Sequence, residues 1–380
     1  MLVEASIWLG ISAFLHYSFF RNKSDREKID LVFENIKYGF KEQMPFHIRT
    51  IKSDNHTTYI YHLPYGLIDD PKLETILHKT LNKPVTIKMQ KKLFINVYDE
   101  ELKSKYDYYF QDSNTWTLPI GFTLGNKNVY HDFDQVPHMT VSGMTRQGKT
   151  VLLKLILAHL SYNHPEDVEF YIVDLKGGLE FSRYQKLRQV KEVASNVDEA
   201  YKLLQQINKN IKSDMQHFKS KGYSNILDTS INKRTFVIVD EAAELTPAAH
   251  HSKEEKNKFR YCQQVLSEVC RVAGALGYRN IFCTQYPTAD TLPRQIKQNS
   301  DAKISFRLPT EIASRVAIDE QGAEELTVPG RAIYRTHDKQ IIQVPFISDK
   351  DILNKLRRYE LNETSRKKKV KRREDFVTFG

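Results

Sequence analysis

The chain has 380 residues, room for two or three domains with a sizeable core, and its 20 Tyr and 20 Phe exclude a disordered, low-complexity chain. The formal charge of +10 favours a polyanionic partner or an anionic membrane surface, although plain solubility also accounts for it. The three cysteines, Cys262, Cys270 and Cys283, match no metal or redox spacing and read as buried thiols of a reducing compartment.

Residues 2–20 form an apolar stretch broken by Glu4, Ser6, Ser12, His16 and Ser18. As a helix it would reach about 28 Å, enough for a bilayer core. Trp8, Tyr17, Arg21 and Lys23 suit an interface with the basic flank in the cytoplasm. Residues 1–22 are therefore expected to form a single-pass membrane anchor. The alternative is an amphipathic or partner-packed helix on a cytoplasmic protein, because Glu4 and His16 are costly in lipid. No positive n-region or small-residue cleavage site is present, so a cleaved signal peptide is not expected.

Residues 23–115 read as a small α/β assembly domain. Its expected elements are a helix over 25–37, strands over 46–53 and 57–63 around the polar turn Asp54-Asn55-His56, a helix over 71–81, and a strand pair within 85–98. It carries no catalytic constellation. Docking, subunit contact or membrane-side assembly is its expected role.

From Trp116 to residue 350, apolar strands alternate with helices, the pattern of a parallel sheet with crossover connections. The strands are expected over 138–142, 169–174, 235–240, 280–284 and 303–307, and the helices over 151–162, 198–219 and 261–275. The tail, 351–380, holds the basic run 365–373 with little to bury, which reads as solvated or as a nucleic-acid contact.

The chemistry begins at Gly143-Met144-Thr145-Arg146-Gln147-Gly148-Lys149-Thr150, which spells the phosphate-binding G-x-x-x-x-G-K-[ST]. A strand feeds it and a helix leaves it, so backbone N–H groups and the helix N-terminus converge on an anion. Lys149 would reach the β- and γ-phosphates of ATP, and Thr150 would ligate Mg²⁺. A second carboxylate must hold the metal from a neighbouring strand end, and Thr235-Phe-Val-Ile-Val-Asp240-Glu241 offers two. Asp240 suits the metal; Glu241 suits orienting the attacking water. Gln285, at the end of another apolar strand, could sense the γ-phosphate or that water. The neighbours His250 and His251 lack a third ligand, so no metal is expected there.

Several ordered blocks resemble the FtsK/SpoIIIE family of DNA translocases. Val136 to Val151 is similar to that family's Walker A region, Asp174-Leu-Lys-Gly-Gly-Leu-Glu-Phe181 to its Asp-x-Lys segment, and Val237-Ile-Val-Asp-Glu-Ala-Ala-Glu-Leu245 to its Walker B segment. Cys270-Arg-Val-Ala-Gly-Ala-Leu-Gly277 and Cys283-Thr-Gln-Tyr-Pro-Thr-Ala-Asp290 resemble the sensor region. Asp301 to Arg307, Ala313 to Asp319 and Gly322 to Leu326 continue the match, which covers roughly residues 116–346.

The resemblance implies a RecA-like P-loop NTPase with a central, mostly parallel sheet, assembled as a homo-hexamer around double-stranded DNA. Nucleotide would lie between subunits, with Arg271 or Arg315 of a neighbour completing each site. The sensor strand would stand between the P-loop strand and the Walker B strand, placing Gln285 between the phosphates and Glu241. Departures are Met144-Thr145-Arg146-Gln147 where the family usually has Thr-Thr-Gly-Ser, Gly274 where many relatives carry arginine, and Tyr286 in place of another common arginine. Because the given sequence stops soon after the motor, a winged-helix module that reads polarity sequences is not expected. The expectation is thus a coupling-type motor of conjugative plasmids or integrative elements, with a relaxase or transfer-channel protein as partner. DNA contacts should be to the backbone, from Lys176 and the polar insertion 246–258 lining a pore. Alternatives are a related ATPase driving protein secretion and a nucleotide-gated DNA tether that does not hydrolyse processively.

Overall fold

The computed structural model describes residues 23–361, so the expected anchor over 1–22 and the basic run over 365–373 lie outside the described residues. Among the described residues no helix is long and apolar enough to cross a membrane. The chain divides into two compact units, one reaching to Leu102 with Leu124–Lys127, the other comprising Lys103–Thr123 and the chain from Asn128.

The first unit carries α1 (Asp25–Asn35), β1 (Phe46–Lys52), β2 (His56–His62), α2 (Lys72–Leu81), β3 (Val85–Met89) and β4 (Leu93–Tyr98). Ser24 and Glu27 form a capping box that starts α1. The strands make an antiparallel sheet in the order β1-β2-β4-β3. Ile29, Val32 and Phe33 of α1, with Leu73 and Leu77 of α2, cover Tyr61, Leu93 and Ile95 of that sheet. One face is apolar, and Thr58, Asn96 and Thr86 hydrogen-bond to one another across the strands.

The second unit is built on β5 (Thr117–Thr123), β6 (Lys127–Asp132), β7 (Met139–Ser142), β8 (Val168–Val173), β9 (Val190–Ala194), β10 (Arg234–Val239), β11 (Tyr278–Thr284), β12 (Ala302–Phe306), β13 (Arg331–Arg335) and β14 (Lys339–Gln343). They form one sheet in the order β6-β5-β14-β13-β12-β7-β11-β10-β8-β9. From β12 to β9 every pairing is parallel. On the other side β13 and β14 are antiparallel additions that lead on to β5. The α/β class and the mostly parallel sheet are as expected from sequence; the antiparallel flank is a further feature of the chain.

The helices are α3 (Lys149–Asn163), α4 (Val197–Lys221), α5 (Lys253–Val272), α6 (Arg294–Gln298), α7 (Glu311–Ile318) and α8 (Asp349–Leu356). Strand β10 is buried along its whole length and divides its side chains by period two. Phe236 and Ile238 join α3 in one core, while Val237 and Val239 join α4 and α5 in the other. Helix α3 is apolar on nearly every side because it lies within the first core. Residues 103–115 are tied into this unit: the Tyr108 hydroxyl meets His159 Nδ1 of α3 at 2.6 Å, and Tyr108 N–H donates to the Phe346 carbonyl.

Helix α5 corrects one expectation. It begins at Lys253 rather than at 261, because Ser252 and Glu255 form a capping box. Residues 253–258, expected as part of a polar pore-lining insertion, are its opening turns, and Lys258 there pairs with Asp198 and Glu254.

Candidate nucleotide site

The site sits at the carboxyl ends of the parallel strands, where β7, β11, β10 and β8 stand side by side. Loop 143–148 connects β7 to α3. Gly143 has φ 153°, and a Cβ there would meet Phe306 Cβ at 2.6 Å. Gly148 has φ 119°, and its Cβ would meet the Phe306 ring at 2.8 Å. Both positions need glycine because the loop is folded directly onto β12. The N–H groups of Gly143, Met144 and Gln147 donate to the carbonyls of Thr284, Arg307 and Met144. Among the described residues, those of Thr145, Arg146, Gly148, Lys149 and Thr150 take no backbone acceptor. These five donors open onto the N-terminus of α3, the arrangement that binds an anion.

Arg146 is the departure within the loop. It is exposed and holds φ 61°, the left-handed region, at the position where the resembled family usually has glycine.

Lys149 and the acids meet below this loop. Lys149 is 6 % exposed, its Nζ has no hydrogen-bond partner, and Glu241 Oε2 lies 4.0 Å away. Burial lowers its pKa, opposed by the neighbouring charges of Glu241 and Asp240. Asp240 follows β10, is buried, and leaves Oδ1 unpartnered. Burial first, then the nearby Asp174 carboxylate, pushes its pKa up to about 6. Thr284 Oγ1, at the end of β11, is also buried without a partner. A cation and a carboxylate held dry and unsatisfied beside one another are costly unless a charged ligand completes them.

The strand order places β11 between β7 and β10. Thr145 Oγ1 donates to Gln285 Oε1 at 3.1 Å, and Gln285 N–H donates to Glu241 Oε1 at 3.1 Å. Gln285 therefore links the phosphate loop to Glu241 through two short contacts. Thr150 is half-buried in the first turn of α3.

Arg271 and Arg315 are not brought to this site within the chain. Arg271, at the end of α5, pairs with Glu268 at 2.7 Å; Arg315 pairs with Glu311 at 2.7 Å. Arg271 precedes β11 while the loop lies beyond its far end, a separation of about 23 Å for a seven-residue strand.

Lys176 and Asp174 belong to the site instead. Lys176 Nζ lies 3.3 Å from Glu241 Oε2, so the residue expected along a pore holds the buried carboxylate. Asp174 ends β8 and accepts the N–H groups of Glu180 and Phe181 on Oδ2, at 3.1 and 3.2 Å. An acid closing a buried apolar strand was the available signal for Asp174, the same signal that marks Asp240. No cluster of three or more ligating side chains occurs among the described residues.

The FtsK/SpoIIIE family model matches residues 103–235, which bears out the resemblance over the P-loop half of the motor. The chain is 26% identical over 258 residues to "DNA translocase FtsK" of Chlorobaculum tepidum, covering 62% of this chain and 31% of that one. It is 28% identical over 284 residues to the protein of that name from Haemophilus influenzae, covering 64% of this chain and 52% of that one. The chain spans about a third of the length of the first of these curated relatives. Among solved structures, the pCW3 conjugation coupling protein TcpA, a monomer form with ATPγS, matches 88% of this chain and 99% of its own, with TM-score 0.65 and 23% identity. The cytoplasmic domain of the Thermomonospora curvata type VII secretion ATPase EccC matches 69% of this chain and 33% of its own, with TM-score 0.55 and 20% identity. Both likenesses are of fold.

Proposed function

We propose that this chain is an ATP-driven translocase of double-stranded DNA, a coupling-type motor that passes the DNA of a conjugative or mobile element to a transfer channel. The observation that carries the reading is the charge set beneath the phosphate loop. Lys149 and Asp240 are buried, each with an unpartnered atom, and Glu241 is held beside Lys149. Such a set fits a metal–triphosphate, whose negative oxygens and cation satisfy the lysine and the carboxylate together.

In this reading Lys149 and the free N–H groups of loop 143–150 hold the phosphates. Thr150 and Asp240 would hold Mg²⁺, which neutralises charge on the phosphate oxygens. Glu241 orients the attacking water, and Gln285 relays the position of the loop to it through its 3.1 Å contacts on either side. The net charge of +10 and the DNA-translocase relatives support a nucleic-acid cargo met through its backbone. A homo-hexamer, a trans-acting Arg271 or Arg315, a relaxase or channel partner, and attachment to a membrane by residues 1–22 belong to the same proposal.

The test is the ATPase rate of the purified protein with and without double-stranded DNA of unrelated sequences. Strong stimulation by any duplex is the expected result, abolished by Lys149→Ala. Stimulation by a secreted polypeptide alone would shift the reading to protein export. No turnover under any condition would leave a nucleotide-gated tether.

A further inference from the structure

Lys176 is placed unlike the other cations of the site. Its side chain is 38% exposed, yet its ammonium reaches Glu241, a side chain only 4% exposed. The loop that carries it is pinned at its base, where Gly178 N–H donates to the Asp174 carbonyl at 3.0 Å. Asp174 Oδ2 binds the N–H groups of Glu180 and Phe181, and Glu180 is held in turn by Lys154 at 2.7 Å. Between these anchors stand Gly177 and Gly178, both left-handed with φ 74° and 71°. A Cβ on Gly177 would meet nothing within 4 Å, so its backbone conformation and not crowding calls for glycine. Two successive left-handed residues make a turn that presents Lys176 next to them to solvent and to Glu241 at once.

Glu241 is accordingly engaged on both oxygens. Oε1 takes the Gln285 N–H at 3.1 Å; Oε2 takes Lys176 at 3.3 Å, with Lys149 4.0 Å away. The two contacts fix the carboxylate's orientation, and the ammonium takes one of the acceptor sites of Oε2, so Glu241 can turn to meet a water only when the Lys176 contact breaks. Lysine is also a point-like cation that binds phosphate readily, and this one has an open path to solvent.

We infer that Lys176 is a positioning residue that restrains Glu241 until a nucleic-acid phosphate draws its ammonium away, so that cargo engagement releases the residue that orients the water. The inference rests on the proposed nucleotide-driven motor and deepens it by naming the element through which DNA sets the hydrolysis rate. Replacing the ammonium by a neutral group should do what DNA does.

The experiment measures kcat and KM for ATP of the full chain, with and without duplex DNA, for the wild type, Lys176→Gln and Lys176→Arg. Lys176→Gln should raise the DNA-free kcat several-fold toward the stimulated value, with KM unchanged and little further response to DNA. Lys176→Arg, which keeps the charge, should retain the low DNA-free rate. A DNA-free kcat of Lys176→Gln at or below that of the wild type overturns the proposal. So does release in both variants, which would mean that the loop and not the cation holds Glu241. A wild type that ignores DNA while Lys176→Gln still accelerates would leave the restraint standing and remove the DNA reading. A DNA-stimulated wild type with an unaltered Lys176→Gln would do the reverse.

Discussion

Asp240 shows how a binding site is kept at the expense of the fold. Its pKa rises from 3.8 to about 6, chiefly through burial, so folding favours the protonated acid and opposes the charged one. A carboxyl whose folded pKa lies above its unfolded value contributes stability below the unfolded pKa and loses it as pH rises through the folded one. Between pH 4 and pH 7 this single group should therefore cost on the order of 2–3 kcal/mol. Asp240→Asn is expected to raise the melting temperature of the nucleotide-free protein at pH 7.5, with the gain fading near pH 4, while Mg²⁺-dependent hydrolysis is lost. Thermal melts of both proteins at the two pH values decide it; a gain of equal size at both would remove ionisation as the cause. Arg146 carries a second local cost. Its left-handed φ of 61° disfavours a side chain by about 1–2 kcal/mol, offset by the greater unfolded-state freedom of glycine. Arg146→Gly should gain up to about 1 kcal/mol, or roughly 2 °C in melting temperature. A lower melting temperature would show instead that the arginine side chain stabilises the loop.

The elements that place the site were readable where their pattern was strong. Strand β10 is six residues buried on both faces and ended by acids, and α3 is an unbroken apolar run after a glycine loop; both sit within two residues of their expected bounds. The antiparallel strands β13 and β14 were missed because Arg331–Arg335 and Lys339–Gln343 are short, polar-ended and partly exposed, with no long apolar run to mark them. The start of α5 was missed for a different reason: Lys253 to Lys258 is almost wholly charged, and only its cap distinguishes it from a solvated loop. The Ser252 side chain accepts the Glu255 N–H while Glu255 accepts the Ser252 N–H. Ser252→Ala should cost about 1 kcal/mol and fray the first turns, which amide exchange over 252–258 would report. Unchanged protection there would mean that the ion pairs of Lys258 hold the turn unaided. The charge set itself was half legible. Asp240 and Glu241 announce themselves at the end of β10, whereas the reach of Lys176 to Glu241 depends on the turn at Gly177 and Gly178, which no periodicity reveals.

At the scale of the whole molecule, the site as one chain presents it has the loop, Lys149, the acids and Gln285, while Arg271 and Arg315 are not brought to it. Arg271 and Arg315 are spent on carboxylates of their own helices. Both pairs are exposed, and such pairs contribute about 0–1 kcal/mol, so either arginine could be redirected at little cost by a neighbouring copy. In a ring with shared sites, an arginine from one copy would complete the phosphate loop of the next. Mixing then becomes diagnostic. Lys149→Ala cannot hold phosphates but still offers both arginines; the variant lacking the true finger keeps its loop but starves its neighbour's site. Each should be inactive alone, and an equimolar mixture should recover part of the DNA-stimulated rate through junctions that pair an intact loop with an intact arginine. The expected outcome is recovery with one of Arg271→Ala and Arg315→Ala and wild-type activity in the other. Full hydrolysis by both arginine variants would exclude these two residues, and an inactive variant that no partner rescues would place the defect within its own chain.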